Sequence, residues 1–295
     1  MRTSKIAYIA VALLIVLVVV IGLAKTRNRT GDGSEVSAPS TVNAATAADA
    51  KAAEPSSRPE PVASKASPAE TAIGAAAKQN RYVFVTFYRK GDDASKKMQN
   101  TMKSAQVKLS SRASFVSVDV DDPVQQGVVS RYGADRSPIP LTLVVAPNGA
   151  VTAGYPSEIK KTNYSDAFVS DGMASVLKVL QDQKLAAVCV QGSGTRNNKK
   201  SLATAEELKA APELGGAVEI VKIDPSDRTE SRFLKMCQVD TRSTDAQLLV
   251  LAPPAKLVGK FGGAATKDTI MTSLKSSLAG SGCGGGSCGP SGCGP

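Results

Sequence analysis

Apolar side chains fall into four regimes along this 295-residue chain. Ile6 to Ala24 is one unbroken run, IAYIAVALLIVLVVVIGLA, and from Thr30 to about Ala77 large apolar residues almost vanish. Beyond that point short apolar runs alternate with stretches in which apolar residues return at helical spacing. The last fifteen positions, 281–295, hold nothing but Gly, Ser, Pro and Cys.

In the third regime Val83 to Tyr88 is a run rich in β-branched and aromatic residues, which predicts a buried strand. Asp92 or Asp93 can cap the next helix, where Met98, Met102, Ala105 and Leu109 form one apolar face. Phe115 to Val120 reads as a strand. Asp122-Pro123 supplies a cap followed by proline at the first helical position, opening a helix to about Tyr132. Leu141 to Ala146 and Val151 to Tyr155, joined through Asn148-Gly149, make a hairpin. A closing helix from about Ser165 to Gln183 turns Phe168, Met173, Val176, Leu177 and Leu180 inward.

The same order then returns. Leu185 to Val190 is a strand, and Thr204 with Glu207 reads as a capping box for a helix that Pro212 ends. Val218 to Ile223 is the next strand, Thr229 to Gln238 a helix, and Gln247 to Phe261 a hairpin. Lys267 to Leu278 is a last helix with Ile270, Leu274 and Leu278 four apart on its buried face. LVVAPNGAVTAGY near 143 matches LVLAPPAKLVGKF near 249 letter by letter through Ala146-Pro147 and Ala252-Pro253. A period of a little over a hundred residues means tandem globular domains, not a solenoid.

Segments VFVTFYRKGDDASKKM, VSVDVDD and SPIPLTLVVAPNG of the first repeat resemble the thioredoxin fold. The resemblance implies an α/β architecture: two tandem thioredoxin-like domains, each a central mixed sheet flanked by helices, at 79–183 and 184–280. It further implies a Cys-x-x-Cys at the start of the first helix and a cis-proline facing it. Pro140, in Ile139-Pro140-Leu141, falls at that proline, while Asp92 and Ser95 occupy the cysteine positions. The second repeat has Thr195 and Asn198 there, and Ala246 in place of the proline. Thiol-disulfide exchange needs an attacking thiolate and a resolving thiol, and neither repeat supplies one at these positions. What the resemblance keeps is a groove beside Ile139 and Pro140, with Asp92 and Ser95 at its rim, where an extended peptide would pair by main-chain hydrogen bonds. A competing reading makes Pro140 the maker of a tight turn and the Asp92-Asp93 pair a helix cap.

Composition narrows the chemistry. The chain has no histidine, which removes Ser-His-Asp and Cys-His catalysis and histidine metal sites. No nucleophile-base pair or phosphate loop is present, so the reading leans away from an enzyme. A net charge of +10 suits acidic surfaces, yet the cations are scattered and aromatics are 4%, which argues against nucleic acid. The apolar run 6–24 is about 28 Å long as a helix, near the thickness of a bilayer core, so residues 1–29 are expected to be a transmembrane anchor. A cleaved secretory signal ending at Gly22-Leu23-Ala24 is the competing reading. Residues 30–78, rich in Ala, Ser and Pro, are expected to be a disordered tether spanning about 40 Å. Such a tether places the two domains on the extracytoplasmic, periplasmic side of an envelope membrane.

Cys189 and Cys237 lie among apolar neighbours and are expected to be buried and inert. Cys283, Cys288 and Cys293 recur every five residues in the tail 281–295, where packing cannot explain them. Three thiols on such a segment can ligate Cu(I) or Zn(II), exchange disulfides, or have no specific role. No other cofactor is expected. The sequence thus predicts a membrane-anchored, redox-inactive binding or scaffolding protein with a protein or peptide partner. The alternative is a thiol or soft-metal handling protein acting through its tail.

Overall fold

The computed structural model describes residues 66–156 and 164–279. The apolar run 6–24, most of the expected tether and the cysteine tail lie outside them. Among the described residues no helix is long and apolar enough to cross a membrane.

The first half runs α1 (Pro68–Lys78), β1 (Tyr82–Tyr88), α2 (Asp93–Leu109), β2 (Ala113–Asp119), α3 (Gln126–Arg131), β3 (Leu141–Val145) and β4 (Val151–Pro156). The second runs α4 (Asp171–Gln181), β5 (Leu185–Val190), α5 (Asn198–Lys209), β6 (Val218–Ile223), α6 (Ser231–Met236), β7 (Gln247–Ala252), β8 (Lys256–Gly262) and α7 (Lys267–Ala279). Two four-stranded sheets result, ordered β2-β1-β3-β4 and β6-β5-β7-β8. In each, the first pair is parallel and the remaining pairs are antiparallel. Both hairpins shift register at the same place, between Val144 and Val145 and between Val250 and Leu251. This is the mixed α/β order that the repeated pattern predicts.

β1 and β5 are central strands covered on both faces, which is why their sequences are apolar runs without alternation. On one face of the first sheet Ala69 and Ala76 of α1 and Val128 and Val129 of α3 pack with Val83, Val85 and Phe87. On the other, Met98, Met102 and Ala105 of α2 pack with Phe84 and Val144. Full burial of Phe84, stacked on Phe115 at 4.9 Å, contributes about 2–3 kcal/mol. The second sheet repeats the scheme, with Val176 and Leu180 of α4 and Phe233 and Leu234 of α6 on one face. Leu208 of α5 and Ile270 and Leu274 of α7 cover the other. The side chain of Leu278 is not among those described.

Three expectations give way. The stretch to 78 does not stay a tether, because Ser67-Pro68-Ala69-Glu70 starts α1: Ser67 Oγ accepts the Glu70 N–H at 3.2 Å and Glu70 Oε2 accepts the Ser67 N–H at 2.9 Å. The helix expected from Ser165 to Gln183 is broken into a 3-10 turn, Tyr164–Ala167, and α4, which Ser170 caps. The two pieces serve different sheets. Phe168 packs beside Tyr82 and Phe84 of the first, whereas Val176 and Leu180 enter the core of the second. By packing, α4 is the counterpart of α1. Finally, Thr204 and Glu207 are no cap: α5 begins at Asn198, and Thr204 is buried in its interior, donating to the Ala265 carbonyl at 2.9 Å.

Because α4 works for the second sheet while facing the first, it couples the halves. Ala174 and Leu177 pack against Ala146 and Ala150 of the β3–β4 turn. Tyr82 Oη donates to the Val169 carbonyl at 2.8 Å and accepts the Val169 N–H at 3.1 Å, fixing the connecting segment to β1.

Candidate functional site

The C-terminal ends of β1 and β2, the start of α2 and the segment before β3 meet at one end of the first sheet. Asp92 is the N-cap of α2, where its carboxylate accepts the Ser95 N–H at 2.7 Å. The Ser95 hydroxyl, and then that N–H, hold the Asp92 carboxyl below the usual carboxylate range. Ser95 is buried, and its Oγ accepts the Arg89 N–H at 3.1 Å. The two residues at the positions of the expected cysteines are therefore bonded to each other. Around them Arg89 pairs with Asp121 and Lys90 with Asp119, each at 3.0 Å. Burial raises the Asp119 carboxyl, but the Lys90 ammonium and the Asp121 N–H outweigh it and leave it below the usual range.

The second sheet builds the same corner from different atoms. Thr195 Oγ1 donates to Asn198 Oδ1 at 2.6 Å and accepts the Gly192 N–H at 2.9 Å. Asn198 Nδ2 donates to the Gly192 carbonyl at 2.8 Å. Again the paired positions hold each other, closing the loop without a thiol.

Ile139 is half-buried and Pro140 buried, with the peptide bond between them cis. Among the described residues no hydrogen bond engages the Ile139 amide or carbonyl, and none joins 92–95 to 137–140. Of the four groove residues expected from the sequence, Asp92 and Ser95 touch each other directly. Among the described residues Ile139 and Pro140 make no hydrogen bond to them, and the Ile139 amide and carbonyl are unpaired.

Cys189 is fully buried in β5 and Cys237 nearly so at the end of α6, and both are free thiols. Burial pushes the Cys189 thiol up, and pushes Cys237 up to about 11, away from the thiolate form that reacts or ligates. Among the described residues no group of three or more His, Cys, Asp or Glu is placed to hold a metal ion. Cys283, Cys288 and Cys293 lie outside the described residues.

No protein-family model matches the chain, and no curated protein sequence does. Solved structures do. The germline-specific thioredoxin Deadhead of Drosophila melanogaster is 23% identical, over 32% of this chain and 87% of that one, with a TM-score of 0.27. The first two thioredoxin domains of Saccharomyces cerevisiae Eps1p are 10% identical, over 75% of this chain and 99% of theirs, with a TM-score of 0.24. Human ERp44 is 11% identical, over 70% of this chain and 55% of its own, with a TM-score of 0.30. At these identities and scores none of them assigns an activity here.

Sequence reasoning missed residues that organise this region. Glu230 sits at 5% exposure and accepts from Ser170 Oγ at 2.6 Å and from the Gly172 N–H at 2.9 Å, adding a carboxylate to the N-terminus of α4. In α1 that place is taken by Glu70 of the helix itself. The S-x-x-E signature at 67–70 was there to be read. Nothing local to Glu230 announces its partner, which lies 60 residues away along the chain at Ser170.

Proposed function

We propose that this chain is a thioredoxin-like binding or scaffolding protein of the cell envelope, whose first folded unit docks an extended polypeptide segment and neither of whose units carries out thiol-disulfide exchange. The observation that carries this reading is the unengaged main chain at Ile139, next to Pro140 and beside a helix start that is already capped. An extended segment needs just such a free amide and carbonyl. Asp92 and Ser95 in one unit, and Thr195 and Asn198 in the other, support the absence of exchange, since they put oxygen and nitrogen atoms engaged in local hydrogen bonds where exchange would need thiols. The apolar run 6–24 supports anchorage in a membrane, with the folded units held on the extracytoplasmic side.

The test is direct. The full chain in detergent micelles should leave insulin disulfides unreduced above the uncatalysed rate. It should also cross-link a photoreactive decapeptide of alternating Thr and Val near residue 139. Ile139→Pro, which removes the amide donor, should abolish that cross-link while circular dichroism stays unchanged. Reductase turnover, or cross-linking indifferent to Ile139→Pro, would sink the reading.

A further inference from the structure

The two units carry a serine at the same place and use its hydroxyl differently. The segments before β3 and β7 align without a gap, so Ser137, Pro138, Ile139 and Pro140 answer to Ser243, Thr244, Asp245 and Ala246. Each serine N–H closes the same turn, onto the Ala134 carbonyl at 3.3 Å in the first unit and the Asp240 carbonyl at 3.2 Å in the second. The side chains then part. Ser137 Oγ donates back to the Gly133 carbonyl at 2.8 Å. Ser243 Oγ turns forward, donating to the Asp245 carbonyl at 3.0 Å and accepting the Asp245 N–H at 3.1 Å.

A hydroxyl has one proton, so Ser137 cannot serve Gly133 and also donate to the Ile139 carbonyl. In the second unit one side chain satisfies the same two main-chain groups that the first leaves free at Ile139. Among the described residues no other group engages the Asp245 amide or carbonyl. The Asp245 carboxylate is held by Arg196 Nη2 and Asn197 Nδ2, each at 3.1 Å. The opposite edge of the segment is closed separately, by the Ala246 N–H on the Arg196 carbonyl at 2.9 Å. Ile139 and Asp245 are both half-buried, so this position reaches the surface in each unit.

An extended segment pairing with a strand edge asks for an amide and a carbonyl together. We infer that the Ser243 hydroxyl stands in for such a segment and closes the second unit's docking position, so that the setting of one serine side chain decides which unit binds. The inference rests on the docking reading of the first unit, but the closure can be measured without a ligand. In the full chain in micelles the Asp245 amide should exchange about tenfold more slowly than the Ile139 amide, each corrected for its intrinsic rate. Ser243→Ala should remove that protection, while the Ala246 amide, held by Arg196, stays protected and reports that the loop is still folded. The Thr/Val photoreactive decapeptide should label near 139 about tenfold more than near 245 in the unaltered chain, and Ser243→Ala should raise the label near 245 by about that factor. Ser243→Thr and Ser243→Val, which match in shape and differ in the hydroxyl, serve if the alanine variant exposes the Ala246 amide: the threonine variant should stay closed and the valine variant should open. Fast exchange at Asp245 in the unaltered chain, or equal labelling of both units, overturns the inference, as does a hydroxyl-free variant with an exposed Asp245 amide that labels only near 139. A protected Asp245 amide with no label in any variant would instead remove the docking reading and leave the hydroxyl closure standing.

Discussion

Gln181 acts as a strand partner for Val151. Its Oε1 accepts the Val151 N–H at 2.9 Å and its Nε2 donates to the Val151 carbonyl at 2.7 Å, so one side-chain amide satisfies both main-chain groups of an edge position in β4. Since Gln181 lies on α4, which serves the second sheet, this pair ties the halves together. Gln181→Ala should orphan both groups at a cost of about 1–2 kcal/mol in chemical denaturation. Exchange of the Val151 amide should accelerate. Unchanged protection there would show that the junction is held by Ala174 and Leu177 packing alone.

The contact of Gly172 with Glu230 makes a second junction testable. A Cβ at 172 would lie 2.6 Å from Glu230 Oε1, and that carboxylate is buried and committed to two donors. Gly172→Ala should destabilise by about 1–3 kcal/mol. Combined with Glu230→Ala it should cost less than the sum of the single changes, because the second substitution removes the clash. Strict additivity in urea titrations would refute the assignment.

Burial sets the reactivity of the thiols. With Cys237 pushed up to about 11, its thiolate fraction at pH 8 is smaller than that of an ordinary thiol by about two orders of magnitude. Iodoacetamide should modify Cys283, Cys288 and Cys293 within minutes and leave Cys189 and Cys237 unmodified in the native chain, as read by peptide mass mapping. The raised value also has a sign for stability: the neutral thiol's contribution is intact below the unfolded pKa and is lost as pH climbs from there through about 11. Cys237→Ala should flatten that alkaline decline.

Acid should act through Glu219. Lys184 at 2.7 Å, then Lys209 at 2.8 Å, hold its carboxyl at about 2, below the ordinary 4.5. A lowered carboxyl contributes above the unfolded pKa and loses that contribution as pH falls from about 4.5 toward 2. The trio is partly exposed and screened, so Glu219→Gln should cost less than about 1 kcal/mol at neutral pH. The difference between variant and parent should vanish near pH 2, and a difference that persists there would contradict the ion-pair origin.

Periodicity alone determined the strands, the two hairpins and the repeat, because a central strand must be apolar on both faces and a helix must show its core face every third or fourth residue. The thiol-free corners were equally legible, since Asp92, Ser95, Thr195 and Asn198 are read by position. The Ser67-to-Glu70 capping box was also written locally, and should have set the start of the first unit at α1. What no local pattern held was allegiance. The apolar residues of α4 fit either sheet by spacing, and only the three-dimensional path sends Phe168 to one and Val176 to the other. Glu230 with Gly172, Gln181 with Val151 and Arg196 with Ala246 are meetings of residues about 30 to 60 positions apart. Each is a hydrogen bond whose partner is selected by where the chain returns, which tertiary packing alone decided.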